Sequence, residues 1–185
     1  MKKFVLFCST AILVIFLNAC GTEKTTESSP ENQEKNIAAT EPTEPTKETL
    51  CAFCNMKVYT KDNEMGVFTA QGVTKGGEHL HFDDSGCLLN YERKTNEKLV
   101  EKWVRNYITS EWVEADSSIP VHSDIETPMK YGYLFFDSEK SAQTFVQENR
   151  NLNSSITDWE TIDGVAKERF EKKMQMQNGM NKDEK

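Results

Sequence analysis

The sequence has little that could cross a membrane. In its 185 residues the one long apolar run is Phe4 to Leu17, about 14 residues against the roughly 20 a spanning helix needs. It has no excess of positive charge: 22 basic side chains face 30 acidic ones, for a formal net charge of −8. Without a basic cluster, nucleic acid is excluded as a partner class. It has no nucleophile elbow, no HExxH and no phosphate loop, so no hydrolytic or redox active site emerges and a binding protein is expected rather than an enzyme. Cysteine is scarce, five in all, and with Cys8 and Cys20 in the N-terminal segment three remain in the body, Cys51, Cys54 and Cys87. An odd count disfavours a pure disulfide framework and leaves at least one thiol to explain.

What is present begins with Met1-Lys2-Lys3, the apolar run, and then Leu17-Asn18-Ala19-Cys20. A short basic region, a short apolar core and a small residue before a cysteine have the form of a lipoprotein signal, residues 1–19, leaving Cys20 as the lipidated first residue. The expected location is the extracytoplasmic face of the cell membrane, held by the lipid. Residues 20–49 are Thr, Glu, Ser, Pro, Asn and Lys with Ile37 as the large apolar exception. Such a segment cannot bury enough apolar surface to offset its ordering entropy, so a disordered tether is expected.

The body reads as α+β, two similar small ββα lobes. In the first, residues 50–98, Met65 to Val73 and Leu80 to Phe82 read as strands around the Lys75-Gly76-Gly77 turn. Asp83-Asp84-Ser85 can then cap a helix carrying Cys87, Leu88 and Tyr91 at helical spacing. In the second, residues 99–164, Val104 to Ile108, Trp112 to Ala115 and Tyr131 to Phe136 read as strands, with a loop around Pro120 and Pro128. Asp137-Ser138 can cap a helix whose Ala142, Phe145 and Val146 share a face. Residues 165–185, with Met174, Met176 and Met180, read as a polar, frayed tail outside the site.

Chemistry concentrates in Cys51-Ala52-Phe53-Cys54-Asn55-Met56. Two thiolates three residues apart can hold one ion, and the Met56 thioether can reach it from the following turn. Sulfur-rich sites of low coordination favour Cu(I), whereas zinc wants four N or S donors. Three other readings stay open: a redox CxxC, a structural zinc site of Cys51, Cys54, Cys87 and one histidine, and simple packing of Met56 under a strand, which would leave its sulfur irrelevant. His79 and His81 share one strand face and could supply an imidazole, or lie on a solvated polar face. Cys87 falls in the first turn of its helix, either as a thiolate favoured by free N–H groups or as a buried core cysteine.

Cys-Ala-Phe-Cys-Asn-Met, the joint His81-Phe82-Asp83-Asp84-Ser85-Gly86-Cys87 and the later Pro128-Met129-Lys130-Tyr131-Gly132-Tyr133 resemble the NosL family over about residues 50 to 150. The resemblance implies paired ββα lobes, Cu(I) binding and a chaperone that passes copper from a donor at the membrane to an apo-enzyme such as nitrous oxide reductase. It implies Cys54, Met56 and Cys51 as ligands. Met129 is a further candidate, although Met129-Lys130-Tyr131-Gly132 departs from the family's tighter Met-Gly pattern. A thiol oxidoreductase serving copper-site cysteines is the enzymatic alternative.

Overall fold

A computed structural model of the chain describes residues 41–183. The proposed signal, Cys20 and the first part of the tether lie outside them. Ala70–Val73 (β1) and His79–Phe82 (β2) pair antiparallel, and Gly77 takes φ +86° in the turn between them, a conformation that glycine adopts freely. Met65 to Phe68, expected as strand, instead form a 3-10 turn over Glu64–Phe68. The Asn63 side chain caps this turn by accepting the Met65 N–H at 2.9 Å. Gly66 packs there so closely that a Cβ would lie 2.0 Å from the Thr60 carbonyl oxygen. Asp84 caps the helix α1, Ser85–Thr95, and its Oδ1 accepts the Gly86 N–H at 3.4 Å.

Glu101–Arg105 (β3) and Trp112–Glu114 (β4) extend this first sheet in the order β2-β1-β3-β4 rather than opening a second lobe at residue 99. Ala70 pairs with both Phe82 and Val104, and these three share one buried cluster. A two-stranded ribbon is too small to stand alone, so β1 takes a partner on its second edge. The second sheet has the order β6-β5-β7, from Ile119–His122 (β5), Tyr133–Phe136 (β6) and Ser155–Ile156 (β7), with Glu139–Glu148 (α2) following β6. The two units β1-β2-α1 and β5-β6-α2 are the repeated ββα pattern. Pro120, read as loop, lies within β5. The ladder to β7 covers only Val121 and His122, so the Pro120 nitrogen has no N–H to supply there. The sheets meet where the Tyr107 N–H donates to the Phe135 carbonyl at 2.8 Å.

Both ends of the body are more structured than their composition implies. Residues 41–49 run along the first sheet. The Thr43 N–H donates to Gln71 Oε1 at 2.8 Å, and Glu44 pairs with Arg105, whose side chain is 0% exposed. The tether as read thus ends before residue 49. The polar tail also begins later than read, because Trp159–Asp183 form one helix, α3. Ile162 and Ala166 are fully buried in the core that holds Cys51, Cys87 and Leu88, while Phe170 is half-buried one turn on. Burying a side chain like Ile162 contributes about 2 kcal/mol, enough for a narrow apolar stripe to dock a mostly charged helix. Among the described residues, no helix is long and apolar enough to cross a membrane.

Candidate metal site

Residues 50–57 form a small knuckle: Leu50 bridges Lys57, the Cys51 N–H donates to the Met56 carbonyl at 2.8 Å, and the Asn55 N–H donates to the Cys51 carbonyl at 2.9 Å. Closing this turn puts Asn55 at φ +61°, which asparagine tolerates better than most residues. The Ala52 N–H donates to the His81 carbonyl at 3.0 Å, fastening the knuckle to the edge strand β2. CxxC therefore sits in a reverse turn, not at the start of a helix. Cys87 holds that helical position instead, in the first turn of α1.

These elements converge. One donor atom from each of Cys51, Cys54, Cys87 and Asp83 lies within 4.8 Å of the others. No disulfide joins the three thiols. Cys51 and Cys87 are buried and Cys54 is partly open to solvent. The Cys54 thiol lies 3.3 Å from Asp83 Oδ2. Asp83 Oδ1 is buried and has no hydrogen-bond partner among the described residues. A buried oxygen of that kind is costly unless something binds it. Three sulfurs and an acceptor-only carboxylate fit a soft or borderline cation.

The electrostatics prepare the site for one. Hydrogen bonds from the Cys51 and Cys87 thiols, joined by the Met56 N–H, outweigh burial and the Asp83 charge and bring the Cys54 thiol down to about 4. Cys87, donating to this cluster and buried, is pushed strongly up. Cys54 thus gives up its proton easily, while Cys87 holds its own, which a bound cation would displace. Burial is the largest of the causes that raise Asp83 to about 6. Asp84, the helix cap, is raised to about 6 chiefly by burial, with a contribution from the Asp83 charge, against bonds from Thr127, Gly86 and Met129. Its Oδ2 accepts Thr127 Oγ1–H at 2.9 Å and the Met129 N–H at 3.4 Å, tying the 127–132 loop to the site.

The other sequence candidates are dispersed. Met56 follows the knuckle at the surface, 54% exposed. His79 and His81 lie on the opposite face of the sheet. His81 Nε2 donates to the Thr43 carbonyl at 3.0 Å, His79 Nδ1 lies 3.4 Å from Gln71 Oε1, and burial lowers the His81 pKa. Met129 is half-buried and lines a small cavity with Cys87. Asp83 is the donor that sequence reasoning passed over, counting it as a helix cap. The available signal was the second carboxylate of Asp83-Asp84, since one residue suffices as a cap.

The fold and the site define a paired ββα protein with a buried, sulfur-rich, metal-competent pocket where a strand turns into a helix. The NosL family model matches residues 42–158, and the chain belongs to the NosL family. A crystal structure of the copper chaperone NosL from Shewanella denitrificans shares the fold, with a TM-score of 0.54 and 13% identity, covering 66% of this chain and 96% of that one. No curated protein matches the chain significantly.

Proposed function

We propose that this protein is a lipid-anchored, extracytoplasmic chaperone that carries Cu(I) in the Cys51, Cys54 and Cys87 cluster and hands it to a respiratory copper enzyme such as nitrous oxide reductase. The observation that carries this reading is the convergence of three thiols at one half-open pocket. Membership of the NosL family and the copper chaperone with the same fold support it. Thiolate sulfur suits Cu(I), and release proceeds by ligand exchange, as an incoming donor displaces one cysteine at a time. Cys54 is the thiol partly open to solvent, and Met56, exposed two residues further on, is the nearest thioether in the sequence. The Leu17-Asn18-Ala19-Cys20 signature supports anchoring through Cys20.

Asp83 favours a second reading, because three sulfurs and one oxygen within 4.8 Å also suit tetrahedral zinc. One experiment separates the two: anaerobic competition for Cu(I) and for zinc by the parent, Met56→Leu and Cys54→Ser proteins. We expect one Cu(I) per chain, Cu(I) binding about tenfold weaker in Met56→Leu with zinc unchanged, and both metals weakened in Cys54→Ser. Tight zinc without a preference for Cu(I) would overturn the copper reading.

A further inference from the structure

The family match ends at residue 158, and the chain beyond it walls the cysteine cluster. A cavity of roughly 110 Å³ reaches Cys87 between Asn90, Met129, Tyr131, Phe53 and Phe170. A second cavity, also roughly 110 Å³, is lined by Met174, Lys94 and Gln177 and shares Phe53, Phe170 and Lys173 with the first. The Phe53 and Phe170 rings, with centroids 6.1 Å apart, stand between the two. Phe53 belongs to the CxxC knuckle and Phe170 to α3. The helix is held in place from below: Arg169 donates to the Met129 and Lys130 carbonyls at 3.0 and 2.9 Å, and its guanidinium lies 4.3 Å over the Tyr131 ring.

We propose that α3 builds an exit port for the cargo, with the Phe53 and Phe170 rings as its gate and the Met174 thioether as the first acceptor outside it. This rests on the Cu(I) reading above and adds residues that lie beyond the matched family region. Met174 is 42% exposed, so the residue is accessible without opening the core. A thioether binds Cu(I) without losing a proton and more weakly than a thiolate, which suits a ligand that must release the ion. Lys94 and Lys173 border the port, and their charge raises the cost of a resting cation, so Met174 serves transit rather than storage. No electron moves in the step. Once the Phe53 and Phe170 rings part and join the two cavities, the bond from copper to the Cys87 sulfur breaks as the bond to the Met174 sulfur forms, and the freed thiolate keeps its electron pair and takes a proton from water.

Two readouts on the full chain test this, one of them without metal. In the metal-free, reduced protein, Phe170→Ala should speed iodoacetamide alkylation of Cys87, located by mass spectrometry, about tenfold, and Met174→Leu should leave it unchanged. In the Cu(I)-loaded protein, Met174→Leu should slow transfer to bicinchoninate about fivefold while equilibrium affinity stays within about twofold. Met176→Leu, at a residue 67% exposed and outside both cavities, should match the parent. Unchanged alkylation in Phe170→Ala overturns the gate, and parent-like transfer in Met174→Leu overturns the acceptor. A parent that binds no Cu(I) overturns the transfer step together with the copper reading, while alkylation still judges the gate. Met174→Leu alters an exposed side chain, so folding does not confound it.

Discussion

Replacing Gly86 by alanine sets two physical effects against each other at the metal site. Gly86 lies in the first turn of α1, where alanine would gain up to about 1 kcal/mol of helix propensity. The added Cβ, however, would stand 2.3 Å from two carbons of the Tyr131 ring, more than 1 Å inside the roughly 3.5 Å of an ordinary carbon contact. The ring is not the loose end of a side chain. Its hydroxyl accepts from Asn90 Nδ2 at 3.2 Å, Arg169 stacks over it, and the Tyr131 N–H is held by Thr127 Oγ1 at 3.0 Å. Displacing it forfeits about 1 kcal/mol for the buried hydrogen bond, about 0.5–1 kcal/mol for the cation–π contact, and about 1–3 kcal/mol for overpacking. After the propensity gain of about 1 kcal/mol, Gly86→Ala should destabilise the metal-free protein by about 1.5–4 kcal/mol. Urea unfolding under anaerobic conditions measures this. Tyr131→Leu placed in the Gly86→Ala background should recover more than half of the loss, because it removes the atoms that clash. A Gly86→Ala protein as stable as the parent, or more so, would refute the reasoning and leave helix propensity as the dominant effect.

Glu44→Gln should cost about 1 kcal/mol, because Arg105 keeps its buried position while losing a charged partner whose own exposure limits the effect. Burial pushes the Glu44 carboxyl up, but the hydrogen bonds and charge of Arg105 and the Trp112 N–H outweigh it, so its pKa lies below the ordinary value. The pair's contribution is therefore present above the ordinary carboxylate range and lost as pH falls through the lowered pKa; urea midpoints of parent and variant should converge in acid, and a gap that persists there would refute the linkage. His79→Ala and His81→Ala should leave Cu(I) affinity within about twofold while His81→Ala loses about 1 kcal/mol of stability with its bond to Thr43. A tenfold loss of Cu(I) affinity in either variant would return that histidine to the site.

Local order in the sequence was enough for the first unit, β1-β2-α1, and for β6 and α2 of the second, while β5 lay in a stretch read as loop. A glycine turn between alternating residues, followed by an acidic or hydroxyl cap and apolar residues at helical spacing, reads directly as ββα, because these signals act over a few neighbouring residues. The same locality made Cys51 and Cys54 visible as a pair and placed Cys87 in the first turn of its helix. Which edge β3 chose was not legible, since period-two alternation marks a strand's faces but not its partner. Pro120 was misread because its tolerance depends on how short β7 is. The strap at 41–49 and helix α3 were hidden by polar composition. Each is fixed by a few contacts to distant residues, Glu44 to Arg105 and Ile162 to the core, which composition averages away. For the site, the sequence determined the sulfur donors nearest one another in the chain and the class of ion they suit. The tertiary structure decided that Asp83 and Cys87 join them and that His79 and His81 do not, because a sheet has two faces and the knuckle docks on one. Alternation shows that residues share a face; only the packing of the knuckle and α1 on that sheet says which face carries the cysteine cluster.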